Sequence, residues 1–181
     1  MSATKTLDIT PQSIMGDILE AFPSAKRALF QRYHVGGCSS CGYAPTDKLE
    51  DVLKSHNVLD VQGAIEFIKE SAEQDAKIQV SVQDVSAGLK NGNNLKLIDV
   101  REPFERELSK IEPSQLLSRD LAMEIMNSWQ KDANIVFYCH EGMRSLDAAS
   151  YFAGHGFTNA KSMTGGIDSW SIEVDSSVPR Y

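Results

Sequence analysis

Two hydropathy periods divide the chain. Up to residue 76 the apolar positions recur at helical spacing, and from residue 78 short apolar runs alternate with helical stretches. In the first segment, Ile14, Met15, Ile18, Leu19 and Phe22 fall on one helical face, and Thr10–Pro11 supplies a start signal. Pro23–Ser24 ends that helix and opens a second with Ala25, Ala28, Leu29 and Tyr33 on one side. His34-Val35-Gly36-Gly37 breaks it. Leu49, Val52 and Leu53 predict a third helix. Asp60 caps a fourth, with Val61, Ala64, Ile65 and Ile68 inward, and the polar stretch from Glu70 to Lys77 either extends it or links onward.

The second segment reads β, α, β in turn. Ile78–Val80 is a short strand, and Ser81 with Asp84 opens a helix through Leu89. Asn91-Gly92-Asn93-Asn94 is a turn before the strand Leu95–Val100. Gln115–Leu117 is a further strand and Asp120–Met126 a helix. Ile135–Tyr138 is the most apolar strand, followed by a helix over 145–154 that stops at His155–Gly156. Ala160–Met163 and Ile167–Ile172 are the last strand and helix. Such alternation predicts an α/β fold, a mostly parallel sheet with helices on both faces, preceded by a small all-α domain. The domains expected are residues 1–76 and 78–181. In a parallel sheet, ligands sit beyond the carboxyl ends of the strands, where Asp99–Arg101 and Cys139 fall.

Charge and composition narrow the classes. The net charge of -7 is spread evenly, -4 over residues 1–76 and -3 over the rest, so no basic face invites nucleic acid. No apolar run reaches the roughly 18 residues of a membrane span, and Met1-Ser2-Ala3-Thr4-Lys5 lacks the apolar core of a signal peptide. Three cysteines do not make a secreted disulfide scaffold. The expectation is a cytoplasmic protein whose cysteines are chemical.

Cys139 leaves the most apolar strand, enters a Gly-containing turn and precedes a helix. Backbone N–H groups of the turn and the positive helix end both favour a sulfur anion, the nucleophilic form of a thiol. Gly142 lets the chain curl around the sulfur. Cys139 and Arg144 are therefore the catalytic candidates, with His140, Glu141, Gly142, Met143 and Ser145 as the cradle. Asp99 and Arg101 read either as site residues or as a buried pair holding the loops. Gly165, Gly166 and Trp170 read as turn and packing residues.

Asp99-Val100-Arg101 with Glu105, Cys139-x-x-Gly142-x-Arg144-Ser145, Gly154-His155-Gly156-Phe157 and Gly165-Gly166-Ile167 with Trp170 together resemble a rhodanese domain over about residues 80–175. The resemblance implies a five-stranded parallel sheet and a sulfurtransferase whose cysteine carries a persulfide. No cofactor is then required. The partners implied are a small sulfur donor and a thiol or cyanide acceptor, or a persulfide-bearing protein. Where the family has an aromatic and then Gly-His-Ile after the Glu105 position, this chain has Arg106, Ser109, Lys110 and Ile111. From Cys139 to Arg144 the loop is six residues long. Phosphatases and arsenate reductases sharing the fold use one residue more, to surround an oxyanion, so sulfur transfer is preferred over that alternative. A non-turnover sulfur carrier or sensor is the other. Glu141, facing the pocket, would repel dianionic thiosulfate and favour a persulfide donor.

Cys38-Ser39-Ser40-Cys41 gives a second constellation. With His34-Val35-Gly36-Gly37 before it and Gly42-Tyr43-Ala44-Pro45 after, it resembles the small helical hybrid-cluster-protein-associated disulfide domain, which implies a redox pair. From the residues alone, several readings stay open. They are a dithiol or disulfide, a zinc site drawing on His34, Cys38, Cys41 and His56, an iron–sulfur cluster shared by two chains, and an unpartnered loop. An economical scheme joins the sites, with Cys38/Cys41 resolving or loading the Cys139 persulfide.

Overall fold

The computed structural model describes residues 7–36, 42–92 and 94–181. The chain divides into two compact units, Met1–Ala76 and Lys77–Tyr181. In the first, α1 (Met15–Ala21), α2 (Ala25–Tyr33), α3 (Leu49–Ser55) and α4 (Val61–Lys77) enclose a core of Met15, Ile18, Leu29, Leu49, Leu53 and Ile68, each with no exposed surface. Asp60 Oδ1 accepts the Gly63 N–H at 2.9 Å at the start of α4. The polar stretch to Lys77 continues that helix, and its Asp75 pairs with Arg27.

Thr10 does not begin α1, contrary to the sequence reading. The Thr10 carbonyl closes a turn to Ser13 N, and the next residues bond across to the start of α3: Leu49 N to Ser13 O at 2.9 Å and Glu50 N to Pro11 O at 3.0 Å. The Pro11 and Ser13 carbonyls are committed there, so the helix waits until Met15.

The second unit holds one parallel sheet ordered β1-β5-β4-β2-β3. The strands are β1 (Gln79–Val80), β2 (Lys96–Asp99), β3 (Ser114–Leu116), β4 (Ile135–Tyr138) and β5 (Ala160–Met163). The helices between and after them are α5 (Val82–Lys90), α6 (Pro103–Leu108), α7 (Arg119–Ser128), α8 (Met143–Gly154) and α9 (Gly166–Glu173). All four β4 residues are buried, because helices cover both faces. Val136 and Tyr138 pack with Val85, Ile167 and Trp170 on one side. Ile135 and Phe137 pack with Ile125, Ala149 and Phe152 on the other.

The order of strands fixes where a site can form. From β2 the chain moves outward to β3, whereas from β4 it moves the other way to β5. The carboxyl ends of β2 and β4, paired as Asp99 with Tyr138, therefore flank the point where the winding reverses. The helix that hydropathy does not reveal, α6, starts there. It has six residues, and Phe104 and Leu108 are 63% and 57% exposed, so no apolar stripe marks it.

Candidate functional site

Cys139 is the residue after central strand β4 and is 2% exposed. Its Sγ accepts the Gly142 N–H at 3.1 Å and lies 3.6 Å from Ser145 Oγ. Gly142 sits in the left-handed region at φ 101° and caps α8, so the chain reverses within three residues of the sulfur. The first turn of α8 therefore begins directly after the N–H that reaches the sulfur, and its own leading N–H groups have no acceptor inside the helix. Behind the sulfur lie two buried hydroxyls. Ser145 Oγ donates to Gly142 O at 3.1 Å and meets Ser162 Oγ, from β5, at 2.9 Å.

The floor of the loop is the start of α9. Ile167 N donates to Cys139 O at 2.9 Å and Asp168 N to His140 O at 3.1 Å. Gly166, at φ 58°, lies against these carbonyls so closely that a Cβ would stand 2.4 Å from Cys139 O and 2.3 Å from His140 O. Gly165 and Gly166 thus shape the loop from beneath, beyond the turn role read from sequence.

Arg144 points away from the helix to Glu105 on α6, donating through both Nη atoms at 2.6 and 2.7 Å. The Glu102 N–H and the Tyr181 hydroxyl also reach Glu105, at 2.9 and 3.1 Å. Held first by Arg144, against the opposing effect of burial, and then by these donors, the Glu105 carboxyl falls from 4.5 to about 2. Arg144, in turn, is raised above its ordinary value by the same hydrogen bonds.

Asp99 and Arg101 form the buried pair that the sequence reading kept as an alternative. Both side chains have no exposed surface. Arg101 gives Nε and Nη2 to Asp99 at 2.9 and 2.7 Å, Nη2 to Ser109 O at 2.7 Å, and Nη1 to Tyr181 Oη and Glu105 O at 2.7 and 3.4 Å. Its five N–H groups are all spoken for. Tyr138 Oη and Arg106 Nη1 complete the Asp99 carboxylate at 2.9 and 3.3 Å. Arg106, one of the departures from the rhodanese pattern, is anchored further by Ser114. Removing one member of so buried a pair leaves an uncompensated charge, a cost of about 3–5 kcal/mol. The pair is a strut beneath the site.

His140 is half-buried and lies flat against Tyr181, while Glu141 and Met143 are exposed. Cys38 and Cys41 lie outside the described residues. His34 is the left-handed cap of α2 and His56 bonds Val52 O at the end of α3. Among the described residues, no group of three His, Cys, Asp or Glu side chains is placed to hold a metal ion. The same residues include no helix long and apolar enough to cross a membrane. Glu105 enters the sequence reading only through a motif, Tyr138 and Ser162 only as strand positions, and Tyr181 not at all. Each is an ordinary-looking residue made local by the sheet or by a distant backbone.

A family model described as a rhodanese-like domain matches residues 81–173. The probable adenylyltransferase/sulfurtransferase MoeZ of Mycobacterium tuberculosis is 28% identical over 131 residues, 71% of this chain and 33% of that protein. The adenylyltransferase and sulfurtransferase UBA4 of Candida albicans is 25% identical over 89% of this chain and 38% of its own length. The chain thus spans about a third of the length of these curated relatives. The thiosulfate sulfurtransferase GlpE of Pseudoalteromonas translucida is 32% identical over 46% of this chain and 80% of its own. The human single-domain sulfurtransferase TSTD1 superposes with a TM-score of 0.45 at 22% identity, covering 53% of this chain and 96% of that structure.

Proposed function

The chain belongs to the rhodanese-like family, and from that membership we propose that it transfers sulfane sulfur through a persulfide on Cys139. The observation that carries the reading is the setting of Sγ. It stands at the winding reversal, with the Gly142 N–H 3.1 Å away and the first turn of α8 opening beside it. The Cys139 thiolate attacks the outer sulfur of a donor persulfide, the S–S bond forms, and the donor thiolate leaves. An acceptor thiolate or cyanide then attacks that outer sulfur, and the Cys139 thiolate departs. Atoms and charge balance in both steps, as in other covalent two-step transfers.

The outer sulfur of a persulfide stands about 2 Å beyond Sγ. There the N–H groups of Met143 and Arg144, which have no acceptor within α8, are the donors it meets. In this reading Arg144 orients the loop through Glu105, and Asp99 with Arg101 supports it. Charge points to the donor class. Arg101, Arg106 and Arg144 are each matched to a carboxylate, and Glu141 adds an exposed negative charge on the loop. A dianion such as thiosulfate therefore finds no uncommitted guanidinium among these three, and a thiol-borne persulfide is the better donor. A cytoplasmic, thiol-rich setting suits such a donor and its acceptor.

The Cys38/Cys41 pair extends the scheme. Cys38 would take the outer sulfur from Cys139, and Cys41 would then attack the Cys38 sulfur, forming a disulfide and releasing hydrosulfide.

Intact mass after incubation with a donor tests the proposal, wild type beside Cys139→Ser. The wild type gains one sulfur atom that cyanide removes, or loses two hydrogens where Cys38 and Cys41 have already expelled it as hydrosulfide, and the Cys139→Ser variant does neither through that cysteine. Loading from an alkyl persulfide exceeds loading from thiosulfate by about tenfold or more, and Glu141→Ala narrows the gap. A folded wild-type protein that takes sulfur from neither donor would defeat the reading.

A further inference from the structure

Tyr181 touches the cradle loop at its first residue after the cysteine and reaches its last residue through Glu105. Its ring stacks on His140, the first loop residue after the cysteine, with centroids 4.5 Å apart and planes 9° from parallel. Its hydroxyl reaches Glu105 Oε1 at 3.1 Å, and Glu105 holds Arg144, the last residue of the loop. The same hydroxyl oxygen lies 2.7 Å from Arg101 Nη1. Arginine can only donate, so the phenolic proton is committed to Glu105. One side chain thereby joins the Asp99–Arg101 strut, the Glu105–Arg144 pair and the His140 ring.

The segment carrying Tyr181 is itself fixed. Val178 packs in the core beside Trp170. Arg180 pairs with Asp168 at 2.7 Å, and Asp168 N holds His140 O. The ring of His140 is thus restrained by Tyr181 and its backbone by the start of α9.

We propose that Tyr181 is a positioning residue for the chemistry at Cys139, acting through His140 by its ring and through Glu105–Arg144 by its hydroxyl. The proposal rests on the sulfur-transfer reading for its turnover readout. Alkylation of Cys139 by iodoacetamide, mapped by peptide mass, reports loop geometry whatever the natural reaction is.

The test compares the full chain with Tyr181→Phe and Tyr181→Ala. Phenylalanine keeps the ring and loses only the hydroxyl. With cyanide as acceptor, Tyr181→Ala lowers kcat about tenfold with KM within about threefold, and Tyr181→Phe recovers part of that loss. The Cys139 alkylation rate shifts in the same order. In a Glu105→Gln background, Tyr181→Phe produces little further change, because its hydroxyl acts through that carboxylate. Rates and alkylation within twofold of wild type for both variants, with only the melting temperature lowered, would overturn the proposal. A wild type that loads no sulfur defeats the transfer reading instead, and the alkylation comparison still decides the role of Tyr181.

Discussion

Glu105 is the residue on which the loop's geometry and the protein's acid response meet. Its carboxyl titrates near 2 in the folded chain, against an ordinary 4.5. A depressed folded value means that the stabilisation is complete above 4.5 and is lost as pH falls from there toward 2. Arg144 is 45% exposed, and solvent screening holds the pair to about 2 kcal/mol. The melting-temperature gap between wild type and Glu105→Gln is therefore expected to be full at pH 7 and to shrink between pH 4.5 and 2. A gap independent of pH in that window would show that the carboxylate charge is not what Arg144 needs. At this scale the sequence is legible where a residue type fixes its own backbone, as at Gly142, which takes the left-handed turn at the start of α8. Tyr181 and Ser162 announce nothing. Their roles depend on backbone brought from 76 and 17 residues away, to Glu105 and Ser145 respectively.

At the scale of elements, the loop is a β4–α8 connection seated on the start of α9. Gly166→Ala would drive a methyl into the carbonyls of Cys139 and His140, which cannot move without dragging the loop. It would also hold alanine at φ 58°. Chemical denaturation is expected to show a loss of about 2 kcal/mol or more, with sulfur loading falling further than stability alone explains. Normal loading at full stability would mean that the loop adjusts freely. Hydropathy exposes β4, whose burial on both faces leaves only apolar residues, and α8, which carries Leu146, Ala149 and Phe152 on one buried face. It hides α6, whose apolar side chains face solvent, and it misplaces the start of α1. There a capping signal at Thr10 loses to backbone bonds with the beginning of α3.

At the scale of the whole molecule, the first core cluster lies wholly within Met1–Ala76, and the two that sandwich the sheet lie within Lys77–Tyr181. A chain beginning at Lys77 is expected to unfold cooperatively and to load sulfur on Cys139 at the wild-type rate. Calorimetry and intact mass check the two halves of that expectation, and an unfolded product would show that the sheet needs the helical unit. Cys139 also has a mechanical consequence. It is welded to the most deeply enclosed strand, beneath a loop pinned at each end, so its sulfur cannot swing out like a tethered arm. The cysteine is a berth and not a ferry. Any thiol that delivers or collects cargo there must bring its own reach, which puts the choice of partner in the length and shape of the visitor's arm.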